Sequence, residues 1–233
     1  MNTSHKILSA NDFLGMVDHS ILRPETTVDE TVKQSVAVAG LGVFSVCVKP
    51  VHVRAVAEAL EGVSTLVTTV IGFPHGNAPM VVKMAEGEQA IVDGAVELDI
   101  VADYSTFFEG PEATREEADR IEEFAVRMKE LNPRVLVKVI LETGYFTEEQ
   151  IRVIAGAFAD KTHVDFLKTS TGFAPVGGAT VEAVRALYEG SNGKNVKASG
   201  GVTSATDAQV FVDAGATRLG CGKTALVAES FES

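Results

Sequence analysis

Short β-branched apolar runs alternate with longer helical patterns along this chain, and that alternation constrains its fold more than any other feature. A strand followed by a helix, repeated many times, makes a parallel sheet with helical crossovers. Eight runs are read as strands: around Met16–His19, Val43–Val48, Leu66–Ile71, Ala95–Val101, Val135–Leu141, Asp165–Thr169, Val196–Ser199 and Thr217–Cys221. Several are almost continuously apolar, as expected for strands covered on both faces.

Helical patterns fill the gaps. Val28–Ala39 follows the cap-like pair Thr26-Thr27, and Val51–Leu60 is Ala-rich. Pro79–Asp93 has Pro at its start and Gly94 just past its end. Arg115–Leu131 carries Ile121, Phe124, Ala125 and Met128 on one face. Thr147 opens Thr147–Asp160 with Glu148, Glu149 and Gln150 behind it, a capping-box pattern. Thr180–Tyr188, Ser204–Ala214 and Thr224–Ala228 follow, and Ser9–Leu14 reads as a short helix before the first strand. Eight units in 233 residues predict an α/β fold, a (β/α)8 TIM barrel formed by one domain over residues 1–233; such barrels take about 250 residues. An open doubly wound sheet is the alternative. It lacks support, because no G-x-G-x-x-G follows the first strand.

The formal net charge of −12 disfavours nucleic acid and anionic membranes as partners, since both need a basic surface. No run reaches the roughly 18 apolar residues of a membrane span, and Met1–Lys6 opens no signal-peptide pattern. The two cysteines, Cys47 and Cys221, make no disulfide framework, so a reducing, cytoplasmic setting is expected. His19, His52, His75 and His163 form no zinc-ligand pattern; neither metal nor cofactor is expected.

In such barrels the active site forms at the C-terminal strand ends. Asp18, Cys47, Asp99, Lys138, Lys168, Lys197 and Gly220 fall there. Alternation places Lys138 on one face with Leu136 and Ile140, and leaves Val137 and Val139 for the helices. In the same way Glu97 and Asp99 share a face. A lone Lys at a strand end snorkels to solvent, and a lone Asp caps a helix. Three lysines on consecutive strands beside an inward Asp reverse that reading, because like charges in one mouth are costly unless one amine is neutral or an anion binds. A neutral lysine is a nucleophile. Gly-rich turns follow the last strands at Thr171-Gly172, Gly200-Gly201 and Gly220-Cys221-Gly222-Lys223-Thr224, where barrels often bind phosphate through backbone N–H groups. Gly222-Lys223-Thr224 is not the end of a P-loop, because Thr217 stands where the first Gly is needed. Cys47 reads as a small buried residue.

These residues resemble those of the deoxyribose-phosphate aldolase family, the DeoC-type class I aldolases. The resemblance runs nearly end to end. It is carried by Asp18-His19-Ser20-Ile21-Leu22, Ser45-Val46-Cys47-Val48, Val70-Ile71-Gly72-Phe73-Pro74-His75-Gly76 and Gly94-Ala95-Val96-Glu97-Leu98-Asp99. It is most specific at Lys138-Val139-Ile140-Leu141-Glu142-Thr143, Lys168-Thr169-Ser170-Thr171-Gly172-Phe173 and Lys197-Ala198-Ser199-Gly200-Gly201. It implies a (β/α)8 barrel that cleaves 2-deoxy-D-ribose 5-phosphate reversibly to acetaldehyde and glyceraldehyde 3-phosphate through a Schiff base. It implies Lys168 as the Schiff-base lysine, Lys197 as the neighbour that keeps it reactive, and Asp99 as the acid/base carboxylate. Lys138, Asp18, Cys47 and Thr169 are implied around the substrate. Gly172, Gly200, Gly201 and Gly220 are implied around the phosphate, and Gly222 and Lys223 are expected beside them. It also implies a homodimer or higher homo-oligomer. Two departures stand out. Strand eight of the family commonly ends in Gly-(Thr or Ala)-Ser, whereas Gly220-Cys221-Gly222-Lys223 stands here without that hydroxyl. Asp103 stands where the family often has Asn. A Schiff-base aldolase with another, unphosphorylated aldehyde, and a non-catalytic sugar-phosphate binder, are the alternatives.

Overall fold

Strand propensity and double-sided burial act together to close a sheet. The computed structural model describes residues 7–231; the segment Met1–Lys6, read above for a signal peptide, lies outside them. Eight parallel strands form a closed barrel in chain order: β1 (Val17–Ile21), β2 (Ser45–Val48), β3 (Leu66–Ile71), β4 (Glu97–Val101), β5 (Leu136–Ile140), β6 (Phe166–Lys168), β7 (Asn195–Ser199) and β8 (Ala216–Cys221). The circle is completed where β1 pairs with β8, Asp18 beside Gly220.

The helices lie between strands: α1 (Ala10–Leu14), α2 (Val28–Ala39), α3 (Val53–Ala59), α4 (Met80–Val92), α5 (Thr106–Glu109), α6 (Pro111–Leu131), α7 (Glu148–Ala157), α8 (Val181–Gly190), α9 (Ala205–Asp213) and α10 (Thr224–Glu229). Their starts are chemically marked. Ser9, Thr27 and Thr147 each close a capping box with Asp12, Glu30 and Gln150, satisfying N–H groups that the first turn leaves free. Three details differ from the sequence reading. α6 begins at Pro111, four residues before Arg115, because Gly110 at φ 119 turns the chain and Pro fits the first helical position. The short helix α5 precedes it. Pro50–His52 is a 3₁₀ turn, so α3 starts at Val53.

Alternation sorts the strand side chains. Val46, Leu98, Ile100, Val137, Val139, Leu167 and Leu219 join one large apolar cluster beneath the helices. The opposite face of these strands fills the barrel interior with charge: Asp18, Glu97, Asp99, Lys138, Lys168, Lys197 and Arg218 are all buried. Gly76 marks a point of close approach near the mouth. Its φ is 68, and a Cβ there would sit 1.9 Å from the Ala102 carbonyl oxygen.

Candidate active site

Parallel register fixes which charged residues meet. Asp99 lies beside Lys138 on β5, and Lys168 lies beside Lys197 on β7. Their side chains converge inside the barrel. Asp99 Oδ2 accepts from Lys168 Nζ and from Lys197 Nζ, each at 2.7 Å, while its Oδ1 accepts from Lys138 Nζ at 2.8 Å. Lys197 Nζ also donates to Asp18 Oδ2. Below them Lys138 contacts Glu97 Oε2 at 2.6 Å, and Arg218 bridges Asp18 at 2.7 Å and Glu97 at 2.9 Å. The Arg218 guanidinium lies over the rings of Phe44 and Phe166, 3.8 and 5.2 Å from their centroids. Ser45 Oγ donates to Asp18 Oδ1, and Thr68 Oγ1 donates to Glu97 Oε2. Each buried charge therefore has partners, which is the condition for holding charge out of water.

The three lysines are driven apart electrostatically. Burial pulls all of them down. Lys168 ends below the ordinary lysine value: burial dominates, Asp99 opposes it, and the Lys197 ammonium adds to the depression. Lys197 ends above that value because Asp18 and Asp99 outweigh burial. Lys138 is raised too, since Asp99, Glu97 and Asp18 outweigh burial. Burial pushes Asp99 up, but Lys138, Lys168 and Lys197 hold it well below the usual carboxylate range. Asp18 is likewise held low against its burial by Lys197, Lys138 and Arg218. One amine of the set is thus made easiest to deprotonate, with a fixed carboxylate and a fixed ammonium beside it.

That amine is also the one with access. A cavity of about 340 Å³ at the C-terminal strand ends is lined by Lys168, Ser20, Leu22, Arg23, Thr171, Gly172, Phe173, Ser199, Gly200, Gly201, Val202, Gly220, Cys221 and Gly222. Lys197, Lys138, Asp18 and Asp99 lie beneath its floor, each fully buried. Cys47 is buried in a small apolar cluster with Leu22 and Val70, and burial pushes its thiol up to about 11. Thr169 stands behind the wall, its Oγ1 accepting from Ser199 N at 3.0 Å. Lys223 lines an adjoining cavity that shares Ser20, Leu22, Arg23, Val202 and Gly222 with the first. Asp103 is not on the cavity wall; its Oδ1 accepts from Ser105 N and Oγ at the start of α5. Gly200, at φ 79, packs against Gly178, whose Cα would lie 2.9 Å from an added Cβ. Among the described residues no group of three or more His, Cys, Asp or Glu side chains is arranged to hold a metal ion.

The comparison with known proteins decides the family. The DeoC/LacD family aldolase model matches residues 5–225. The chain belongs to the DeoC/LacD aldolase family. A protein of Corynebacterium glutamicum named deoxyribose-phosphate aldolase is 39% identical over 95% of this chain and 97% of its own. One of Frankia alni with the same name is 40% identical over 93% and 96%. Among solved structures, a tetrameric deoxyribose phosphate aldolase from Aeropyrum pernix superposes with a TM-score of 0.85 at 31% identity, covering 97% of this chain and 93% of that one. A structure described as QR15, an aldolase, gives 0.83 at 35% identity, covering 95% and 96%.

Several residues of this aldolase carry site geometry without having been singled out from the sequence. Arg218 is one; its signal was a charge on the inward face of an apolar strand, the same signal that exposed Lys138. Glu142 is another. It sits at φ 50 directly after β5, buried, and accepts from Thr171 N at 3.2 Å and Thr171 Oγ1 at 2.5 Å. It thereby fixes the loop that follows Lys168. Glu117 accepts from Asp103 N, Glu86 from Gly72 N, and Lys83 Nζ donates to the Val101 carbonyl. These three helix side chains pin the loops around the mouth.

Proposed function

We propose that this aldolase cleaves 2-deoxy-D-ribose 5-phosphate reversibly to acetaldehyde and glyceraldehyde 3-phosphate, with Lys168 as the imine-forming amine. The observation that carries this reading is that, of Lys138, Lys168 and Lys197, Lys168 is the one that lines the cavity and the one whose basicity is lowered. The names of the relatives supply the substrate.

The neutral Lys168 amine attacks the sugar aldehyde carbon, and loss of water from the carbinolamine gives a protonated imine. As the C3 hydroxyl gives up its proton, the C2–C3 bond breaks and its electron pair moves to the imine, forming an enamine. The C3–C5 fragment leaves as glyceraldehyde 3-phosphate. Protonation of the enamine carbon and hydrolysis release acetaldehyde and the free amine. Asp99, a carboxylate at neutral pH, accepts protons; Lys197, an ammonium anchored by Asp18, supplies them and repels a charge on Lys168. Lys138 orients Asp99. Cys47 and Thr169 support the wall. The backbone around Gly172, Gly200, Gly201, Gly220 and Gly222 receives the phosphate, with Lys223 at its outer edge. A homo-oligomer is part of this reading, supported by the tetramer described for the A. pernix structure. So is a cytoplasmic location, supported by two free buried cysteines.

Borohydride reduction in the presence of acetaldehyde, read by peptide mass spectrometry, tests the proposal. A two-carbon adduct on Lys168 is expected. An unlabelled Lys168 rejects imine chemistry at this site.

A further inference from the structure

Two buried charges inside the barrel have no part in the imine chemistry. Glu97 stands two residues before Asp99 on β4, and Arg218 stands two residues before the cavity-lining Gly220 on β8. Each therefore shares the inward face of its strand but lies a layer deeper. Both are buried, and neither lines the cavity that Lys168 reaches. Branched apolar side chains ordinarily fill a barrel at this depth. A buried ion pair is often no more stable than an apolar filling of the same volume. Packing alone does not account for a guanidinium here, over the rings of Phe44 and Phe166.

Two arms of polar contacts rise from this pair, and both end on Asp99. In one, Arg218 donates to Asp18 Oδ1 at 2.7 Å, Asp18 Oδ2 accepts from Lys197, and Lys197 donates to Asp99 Oδ2 at 2.7 Å. In the other, Glu97 Oε2 lies 2.6 Å from Lys138 Nζ, which donates to Asp99 Oδ1 at 2.8 Å. Arg218 joins the arms at their base, 2.9 Å from Glu97 Oε2. At the top, Lys168 shares Asp99 Oδ2 with Lys197. Burial raises Asp18, and Lys197, Lys138 and Arg218 together hold it low. Lys168 is faced by Asp99 from β4, Lys197 from β7, Cys47 from β2 and Glu142 after β5. Arg218 is faced by Asp18 from β1, Glu97 from β4 and Lys138 from β5.

We propose that Arg218 and Glu97 are a pair of positioning residues that govern, from beneath and with opposite sign, how readily Lys168 gives up its proton. The proposal rests on the imine chemistry assigned to Lys168. Without the guanidinium, Asp18 is left to Lys197 and Lys138, and the interior carries one more negative charge. Lys197 then leans toward Asp18, Asp99 is freer to hold the Lys168 ammonium, and the amine is harder to deprotonate. Without the Glu97 charge the reverse holds. Lys138 leans more on Asp99 Oδ1, the interior carries one more positive charge, and Lys168 loses its proton more easily. Removing both charges together leaves the balance where it began.

The test is the pH dependence of borohydride trapping of acetaldehyde on Lys168 in the full-length protein, which needs no turnover. It is measured for wild type, Arg218→Met, Glu97→Gln, the double variant and Arg218→Lys. A unit charge about 10 Å away, at an effective dielectric of roughly 20, moves a protonation by about one pH unit. The acid limb should therefore move up by about one pH unit in Arg218→Met and down by about as much in Glu97→Gln. It should return to the wild-type position in the double variant and stay there in Arg218→Lys, which keeps the charge. A purely structural role lowers the amount trapped in every variant and leaves the limbs in place. Limbs that do not move, or that move the same way in both single variants, overturn the proposal. If Arg218→Met does not fold, Glu97→Gln and the double variant decide: an unmoved limb in Glu97→Gln, or no return in the double variant, overturns it. Lys168 trapped with unmoved limbs sinks this inference alone. Lys168 untrapped in the wild type sinks the imine reading and this inference with it.

Discussion

Replacing Lys197 with Met removes a charge that the geometry places against Lys168. Both amines are 2.7 Å from the same Asp99 oxygen, so their nitrogens are separated by no more than twice that distance. Two unit charges about 5 Å apart repel by about 3 kcal/mol at an effective dielectric of roughly 20. Each 1.4 kcal/mol or so is tenfold in a protonation equilibrium. The substitution should therefore cut the neutral Lys168 population at neutral pH on the order of a hundredfold. Freed from Lys197, Asp99 also holds the Lys168 ammonium more tightly, which acts in the same direction. The assay is the pH dependence of kcat/KM, paired with the pH dependence of borohydride trapping, which needs no turnover. The acid limb should move to higher pH in both, and activity should partly return in alkali. If turnover falls while both acid limbs stay in place, Lys197 does not control the basicity of Lys168.

His19 offers a stability prediction. Burial lowers its pKa from 6.5 to about 4, and its ring contacts the Thr224 hydroxyl at 2.8 Å. The unfolded chain binds the proton first, so stability should fall by about 3 kcal/mol as pH drops from 6.5 to 4; denaturant melts of His19→Asn over that window should show a flatter profile than wild type. Gly76→Ala forces a Cβ to within 1.9 Å of a backbone oxygen at positive φ, and should cost roughly 4 kcal/mol or more; a melting temperature within a few degrees of wild type would contradict this. Glu142→Ala leaves the buried Thr171 N–H without its carboxylate partner, which should cost about 1–3 kcal/mol and raise KM, because Thr171 lines the cavity; steady-state kinetics at constant pH separates that from a loss of kcat.

The strands were legible because each is buried on two faces. The large helices were legible because the residues that start them, Thr27, Thr147 and Pro79, are chemically distinctive. The convergence of Lys138, Lys168, Lys197 and Asp99 was legible from alternation together with their shared place at the C-terminal ends of consecutive strands. What alternation does not carry is cross-barrel pairing. Lys197 meets Asp18 across 179 residues of chain, and Arg218 meets the same carboxylate across 200; only closure of the sheet makes them neighbours. Glu142 escaped for a different reason. It lies in a turn at positive φ, where no periodicity marks a side chain as inward. The early start of α6 was hidden by Gly110-Pro111, a pair that reads as a loop until the turn at Gly110 is known.

The sealed interior has a consequence for turnover. Among the described residues, Lys138, Lys168, Lys197 and Arg218 share contacts with three carboxylates, those of Asp18, Glu97 and Asp99. With Lys168 as a neutral amine, the charges cancel. A protonated imine leaves one positive charge in excess, and an enamine erases it. Bond cleavage and charge relief are then the same event. The resting barrel works as a balance that the imine tips and the departing aldehyde restores.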